Sequence, residues 1–205
     1  MLIIGLTGSI GMGKSTAAER FRANGIGVFD ADAEVHALYR DGPAVARIEA
    51  AFPGTTQAGQ VDRQRLLAAL LATVDGFKRL EEIVHPMVRE RERAFLHHEH
   101  ERGARLAVLE IPLLFETGGD ELVDVTVVLT APPDVQRMRV LARPGMTEAK
   151  LAEMLSRQLP DVQKRARADF IVDTSGPISE TGAQIDKLIA QLSSRDGSAY
   201  HRHWA

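Results

Sequence analysis

The sequence predicts an α/β fold, in which a parallel five-stranded sheet is flanked by helices. Short apolar runs rich in valine, isoleucine and leucine alternate with longer segments of helical periodicity along the 205 residues. Few hairpin signals separate these runs, and a glycine-rich loop directly follows the first of them. Such alternation is typical of a parallel sheet whose strands are connected by helices.

Five apolar runs are predicted to form the strands of this sheet. The fourth run is almost unbroken and largely β-branched, as expected for a parallel strand that is buried on both faces. The predicted strands are residues 1–6, 26–29, 106–111, 123–129 and 170–172.

The segments between these strands have apolar residues at helical spacing. Pro86 should kink or restart the longest predicted helix, and Thr147 is suited to cap the start of another. The tail from Ser193 to Ala205 is polar, and we expect it to be mobile. The predicted helices are residues 33–40, 44–52, 62–72, 75–102, 133–142, 147–159 and 178–192.

The composition limits the possible functions. Hydrophobic residues make up 44% of the chain, which is enough for a substantial core, and the net charge of −3 argues against a protein that coats nucleic acid. The chain has no cysteine, so disulfides and cysteine metal sites are excluded. No apolar run approaches the roughly 20 residues of a membrane span, and the first predicted strand leaves no room for a signal peptide. We therefore expect a cytoplasmic protein without a nucleic-acid or membrane partner.

Residues 8–15 form a complete phosphate-loop motif, G-x-x-x-x-G-K-[ST], between a predicted strand and a predicted helix. Its glycines allow backbone N–H groups to surround a polyphosphate, and the helix N-terminus adds a partial positive charge. Lys14 is expected to reach the β- and γ-phosphates, and the Ser15 hydroxyl to ligate Mg²⁺. The residues predicted to bind the nucleotide here are Gly8, Gly11, Met12, Gly13, Lys14, Ser15 and Thr16.

Two aspartates distinguish among the classes of phosphate-loop protein. Asp30 and Asp32 follow the second predicted strand, and ligands of open α/β sheets bind beyond the carboxyl ends of the strands. A carboxylate there can accept the proton of an attacking hydroxyl group, as in kinases. The chain lacks a guanine-reading Asn-Lys-x-Asp segment, which argues against a GTPase. The alternative is that the two aspartates, Asp30 above all, cap the following helix.

Four arginines lie between residues 136 and 158, namely Arg137, Arg139, Arg143 and Arg157. Arg139 and Arg143 are four residues apart, which on a helix places them on one face. There they would stabilise the negative charge of a transferring phosphoryl group, and residues 136–160 would form a lid that excludes water. A solvated basic helix face explains the same spacing equally well.

Several ordered motifs over residues 2–176 together resemble the dephospho-coenzyme A kinase family. The His-Pro pair and the Pro-Leu-Leu-Phe-Glu segment are far more specific for this family than the phosphate loop is. The motifs are the phosphate loop, Asp30-Ala31-Asp32, Ile83-Val84-His85-Pro86, Pro112-Leu113-Leu114-Phe115-Glu116, Gln136-Arg137 with Arg139 and Arg143, Arg157-Gln158 and Ala168-Asp169.

The resemblance implies that ATP phosphorylates the ribose 3′-hydroxyl of dephospho-coenzyme A, which yields coenzyme A and ADP. It implies that Asp32 is the base, that Ser15 holds Mg²⁺, and that Lys14, Arg139 and Arg143 stabilise the phosphoryl group. Asp173 is expected beside the adenine, where its carboxylate can accept the N6 amino group. No obligate protein partner is implied. The acceptor site would include Asp30, Asp32, His85, Pro86, Leu114, Phe115 and Glu116.

The expected organisation is a single P-loop kinase-like domain over residues 1–195, followed by a tail of residues 196–205. The core would be residues 1–32, 103–135 and 168–192, with a helical acceptor-side insert of residues 33–102 and the lid of residues 136–160. Two alternatives stay open at this point: another nucleoside or nucleotide kinase, and a regulatory nucleotide-binding module.

Overall fold

The computed structural model describes residues 1–205 and contains seven strands. Five of them form one parallel sheet in the order β2-β5-β1-β6-β7, and the other two form a small antiparallel hairpin. This confirms the predicted five-stranded parallel sheet. The strands are β1 Leu2–Thr7, β2 Gly27–Asp30, β3 Thr56–Gln57, β4 Gln60–Val61, β5 Leu106–Glu110, β6 Val125–Thr130 and β7 Phe170–Asp173.

The chain contains nine α-helices, and two short helical turns lie in its C-terminal half. The helices are α1 Lys14–Ala23, α2 Ala31–Arg40, α3 Pro43–Ala51, α4 Arg63–Ala72, α5 Gly76–Glu101, α6 Pro133–Leu141, α7 Glu148–Ser156, α8 Asp161–Arg167 and α9 Ile178–Leu192. The short turns are Gly119–Leu122 and Tyr200–Trp204. No helix is long and apolar enough to cross a membrane.

The chain divides into two compact units. The first unit comprises residues 1–29 with residues 96–205, and its core is built on the central strands β1 and β6. All six residues of β1 are buried, and Phe21 of α1 and Ile185 of α9 complete the core with no exposed surface. Strands that are buried on both faces explain the continuous apolar runs in the sequence.

The second unit, residues 30–95, has a separate apolar core formed by side chains of α2 to α5 and of the hairpin. The sequence analysis did not predict this hairpin, which lies between the helices predicted at residues 44–52 and 62–72. Its two-residue turn consists of Ala58 and Gly59, and both have positive φ angles. A tight hairpin turn usually has Asn-Gly or Asp-Gly at these two positions, and alanine is uncommon there. Because this turn has Ala-Gly, the sequence carried no clear hairpin signal.

Two helix predictions need correction, and a third is confirmed. Helix α5 continues through Pro86, so the predicted restart there is wrong. The helix predicted to run to residue 159 ends at Ser156, and Pro160 begins a separate helix, α8, that the sequence analysis missed. Proline disfavours helical backbone in the residue before it, which explains the break. Thr147 caps α7 as predicted, since its hydroxyl accepts a hydrogen bond from the Lys150 N–H at 3.3 Å.

The C-terminal tail is packed against the first unit, so the expectation of a mobile tail is wrong. Tyr200 and Trp204 are buried, and the indole N–H of Trp204 donates to the Leu122 carbonyl at 2.9 Å. Asp124 joins the tail to the sheet: one carboxylate oxygen accepts from the Ile3 N–H at 2.8 Å, and the other accepts from the Ala199 N–H at 2.8 Å. Burial of two aromatic rings offsets the entropy lost on ordering the tail.

Replacement of Asp124 by alanine should therefore destabilise the fold. Asp124→Ala removes acceptors for backbone N–H groups at both ends of the chain, and we expect a loss of about 2–4 kcal/mol in the free energy of unfolding. Chemical denaturation measures the change. Asp196→Ala is the matched control, since that carboxylate is almost fully exposed, and equal stability of the two variants would contradict the role of Asp124.

Candidate active site

The phosphate loop connects β1 to α1, and its glycines are required by its shape. Gly11 and Gly13 have φ angles of 80° and 81°, in the left-handed region that favours glycine. A Cβ atom on Gly11 would lie 2.6 Å from a methyl carbon of Val140, and one on Gly8 would lie 2.7 Å from the Leu129 carbonyl oxygen. The loop therefore runs so close to α6 and β6 that only glycine fits at these positions.

Three side chains hold the carbonyl groups of the loop. The Lys14 ammonium donates to the Gly8 carbonyl at 2.8 Å, and the Gln136 amide donates to the Ile10 carbonyl at 2.7 Å. The Thr174 hydroxyl lies 3.2 Å from the Met12 carbonyl and 3.1 Å from the Thr130 carbonyl, so its single proton is shared between these two acceptors. Because these carbonyls are engaged by donors from α1, α6 and the segment after β7, the loop is held in shape by the surrounding fold.

The start of α1 is open to an anion. Gly13 occupies the N-cap position, no side chain caps the helix, and its first turn carries no acidic residue. The first N–H groups of a helix have no partner within it, and they carry partial positive charge. Ser15 is exposed in this first turn, with its hydroxyl available as a hard oxygen ligand. This arrangement suits a polyphosphate and its metal ion.

Arg139 lies on α6 and is bonded to the segment that follows β7. Its guanidinium donates to the Thr174 hydroxyl at 3.0 Å and also to the Thr174 carbonyl. Since Thr174 also contacts the Met12 carbonyl, a continuous hydrogen-bond network links α6 to the phosphate loop. The sequence analysis included Gln136 in a family motif but gave neither Gln136 nor Thr174 a role in the nucleotide site, because local spacing does not show which carbonyls a polar side chain will contact.

Arg143 is exposed and has no ion-pair or hydrogen-bond partner for its side chain. It lies beyond the C-terminus of α6, which ends at Leu141, so the prediction that Arg139 and Arg143 share one helix face is wrong. The other two arginines of the region are paired, Arg137 with Glu148 and Arg157 with Glu153.

Asp173 ends β7 and is held as a charged acceptor. The Ser175 N–H donates to its carboxylate at 2.8 Å, and Ser175, more than the charge of Arg139, keeps the pKa of Asp173 below its usual range. The carboxylate is therefore ionised at neutral pH. Gln184 fixes the backbone of Asp173 with two further hydrogen bonds, one to its N–H and one to its carbonyl.

The Leu-Leu-Phe-Glu segment after β5 is packed into the first unit. Leu114 is fully buried, and a Cβ atom on Gly5 would lie 2.8 Å from it. Phe115 is 5% exposed, and the guanidinium of Arg167 lies 4.6 Å from its ring centre. Both side chains are covered by the fold, and their contact with the acceptor stays a prediction.

Glu116 forms a buried ion pair with a lysine that the sequence analysis missed. The ammonium of Lys164, a fully buried residue of α8, lies 2.8 Å from one carboxylate oxygen of Glu116 and 3.2 Å from the Pro112 carbonyl. The same oxygen accepts from the Leu159 N–H at 2.8 Å. These bonds tie the segment after β5 to the start of α8. A lysine in a basic helical segment gives no sequence signal of burial.

The remaining predicted residues lie in the second unit. Asp30 caps α2, since its carboxylate accepts from the Ala33 N–H at 2.9 Å, which confirms the capping alternative for this residue. Asp32 is exposed in the first turn of α2. His85 and Pro86 are exposed on α5, so their surfaces are accessible.

These features define a phosphate-loop kinase fold. They are the parallel sheet, the phosphate loop at the end of its central strand, and the N-terminus of α1, which no side chain caps. A sequence model of the family named dephospho-CoA kinase matches residues 2–180. The chain belongs to the dephospho-CoA kinase family.

Curated relatives and solved structures agree with this family. A Brucella melitensis dephospho-CoA kinase is 50% identical over 199 residues, which is 97% of this chain and 99% of the relative. A dephospho-CoA kinase of Rhodopseudomonas palustris is 54% identical over 189 residues, 92% of this chain and 94% of the relative. The crystal structure of a Thermus thermophilus protein matches with a TM-score of 0.80 and 33% sequence identity. The match covers 93% of this chain and 97% of the Thermus thermophilus chain.

Removal of Lys164 alone should lower the stability of the fold more than removal of both charges of the ion pair. Lys164→Met leaves the Glu116 carboxylate buried without its cation, and we expect a loss of about 3–5 kcal/mol in the free energy of unfolding. The double variant Lys164→Met/Glu116→Gln, which removes both charges, should recover part of this loss. Denaturant titration measures both values. Equal stability of the single and the double variant would contradict the ion pair.

Proposed function

We propose that the protein transfers the γ-phosphoryl group of ATP to the ribose 3′-hydroxyl of dephospho-coenzyme A, the last step of coenzyme A synthesis. The observation that carries this proposal is the match of the dephospho-CoA kinase family over residues 2–180, together with an intact phosphate loop. The products are coenzyme A and ADP. The proton of the acceptor hydroxyl passes to a protein carboxylate, and the leaving group is the β-phosphate oxygen.

The donor site consists of the phosphate loop and the first turn of α1. The N–H groups of Gly11, Gly13 and Ser15 would surround the β-phosphate, and Lys14 would exchange the Gly8 carbonyl for the β- and γ-phosphate oxygens. Thr16, in the same helical turn, would contact the α-phosphate. The adenine would lie near the segment after β7, where the ionised Asp173 accepts its N6 amino group.

Mg²⁺ fits this site through Ser15. The Ser15 hydroxyl is exposed in the first turn of α1, beside the loop that would carry the phosphates, and hydroxyl oxygens are suitable ligands for Mg²⁺. When bound, the ion neutralises charge on the β- and γ-phosphates. The protein itself orients the two phosphates through Lys14 and the loop N–H groups.

Arg143 and Arg139 would stabilise the transferring phosphoryl group in different ways. Arg143 has no partner within the chain, so its planar guanidinium can bind the phosphoryl oxygens without first breaking another bond. Arg139 is fixed against Thr174, so it would add positive charge from a defined position. The turn between α6 and α7 carries Arg143 and would close over the phosphates as part of a lid.

Asp32 is the proposed base that accepts the proton of the 3′-hydroxyl. Asp32 is exposed in the first turn of α2, directly after the end of β2. Its accessible carboxylate at the carboxyl end of a strand supports Asp32 as the group that accepts the proton. His85 and Pro86, which are exposed on α5 of the same unit, would also contact the acceptor.

Acceptor dependence of ADP formation tests the proposed function. With MgATP, dephospho-coenzyme A should stimulate ADP formation at least about 100-fold over the rate without an acceptor, because general-base activation needs the bound hydroxyl. A coupled ADP assay measures this, with AMP and adenosine as control acceptors. Stimulation by AMP or adenosine instead would assign the chain to another kinase reaction, and no stimulation by any acceptor would favour a regulatory nucleotide-binding module.

Asp32→Asn should lower kcat about 100-fold or more while ATP still binds, because an amide cannot accept the hydroxyl proton. Steady-state kinetics with dephospho-coenzyme A measure kcat, and equilibrium titration with a fluorescent ATP analogue measures nucleotide binding. Asp41→Asn, at the other end of α2, is the matched control and should retain wild-type turnover. If Asp32→Asn kept the wild-type kcat, Asp32 would not be the base.

A further inference from the structure

The second unit contains a cleft that none of the predicted site residues lines. Its volume is about 500 Å³, which lies within the range of small-molecule sites. It lies between α2 on one side and β4 with the start of α4 on the other. Its polar lining consists of His36, Tyr39, Arg40, Gln60 and Arg63.

The cleft carries positive charge that the protein does not neutralise. Neither Arg40 nor Arg63 has an ion-pair or hydrogen-bond partner for its side chain, and both are exposed. Glu34 pairs with Arg91, and Asp62 caps α4 and pairs with Arg65. Asp41, the residue after Arg40, is exposed and forms no ion pair with either arginine. Two unpaired guanidinium groups that line one concave surface are suited to phosphate oxygens, which accept their forked N–H groups.

Tyr39 adds a hydrogen-bond donor to the same cleft. Its hydroxyl has no partner in the structure, although the side chain packs against the apolar core of the unit. Burial raises the pKa of Tyr39, and the nearby charge of Arg63 opposes this shift only in part. The hydroxyl therefore stays protonated at neutral pH and can donate to an anion.

The position of the cleft relative to Asp32 suggests which anion it binds. Asp32, His36 and Arg40 follow one another at intervals of four residues on α2, so they lie along one face of this helix. The rise of about 1.5 Å per residue places His36 about 6 Å and Arg40 about 12 Å from Asp32 along the helix axis. In dephospho-coenzyme A five covalent bonds separate the ribose 3′-oxygen from the nearer phosphorus, a distance of roughly 6 Å. Helical side chains lean toward the N-terminus of the helix, so the long Arg40 side chain would reach back toward Asp32 over the remaining distance.

We propose that this cleft binds the diphosphate of dephospho-coenzyme A, through Arg40, Arg63 and Tyr39, while Asp32 receives the 3′-hydroxyl of the same molecule. The assignment rests on the proposed function, since it takes the acceptor from that reaction. It adds a subsite that sets acceptor affinity and selects a nucleotide that carries a diphosphate. His36, between Asp32 and Arg40 on the helix face, supplies a further N–H donor at the ribose end of the cleft.

Kinetics of arginine variants test the subsite. In Arg63→Gln and Arg40→Gln, the KM for dephospho-coenzyme A should rise about 10- to 100-fold, while kcat and the KM for ATP change less than about threefold. Arg47→Gln is the matched control, because Arg47 is an exposed, unpaired arginine of α3 outside the cleft. An unchanged acceptor KM in both cleft variants, or an equal rise in the control, would overturn the proposal.

Further measurements separate phosphate binding from folding and from the reaction itself. Thermal melts establish that the variants fold, and Arg63→Lys, which keeps the charge, should show a smaller rise in acceptor KM. As inhibitors that compete with dephospho-coenzyme A, 4′-phosphopantetheine and pantetheine differ by one phosphate. The wild type should be inhibited more strongly by 4′-phosphopantetheine, and Arg63→Gln should remove this difference. Equal inhibition of the wild type by both compounds would refute a phosphate subsite. If the wild type itself formed no ADP with dephospho-coenzyme A, the proposed function would fail instead.

Discussion

The close packing of the phosphate loop against β6 and α6 is the constraint that joins the elements of the first unit. Gly8 and Gly11 approach β6 and α6 so closely that a Cβ atom would collide, and three side chains from different parts of the chain hold the loop carbonyls. The loop therefore requires the sheet, α6 and the segment after β7 to be in place. With the loop held in this shape, the N-terminus of α1 has N–H groups that no side chain caps. These N–H groups are the chemical basis of phosphate binding.

Much of the fold could be predicted from local sequence patterns. The five strands of the sheet, most of the helices and the Thr147 cap follow from apolar periodicity and from capping chemistry, which depend on neighbouring residues only. The phosphate loop could be recognised for the same reason, because its motif is contiguous. The Asp30 cap was also visible as an alternative, although the sequence could not distinguish it from a role in binding the acceptor.

The features that sequence reasoning missed depend on contacts between distant residues. Lys164 and Glu116 are 48 positions apart and become a buried pair only when α8 packs beside the segment after β5. Thr174 reaches Met12 across a larger gap, and the tail is ordered by Asp124, far from it in the chain. Leu114 and Phe115 belong to a contiguous family motif, but the sequence did not indicate that both side chains are buried within the first unit.

The most direct test of the proposed reaction is to determine where the transferred phosphate is attached. Phosphorus NMR of the product formed from MgATP and dephospho-coenzyme A identifies the new phosphate ester and its coupling to ribose protons. The account predicts one new phosphomonoester coupled to the proton on C3′, in equal amount to the ADP formed. Inorganic phosphate alone, or a phosphomonoester on another hydroxyl group, would contradict it.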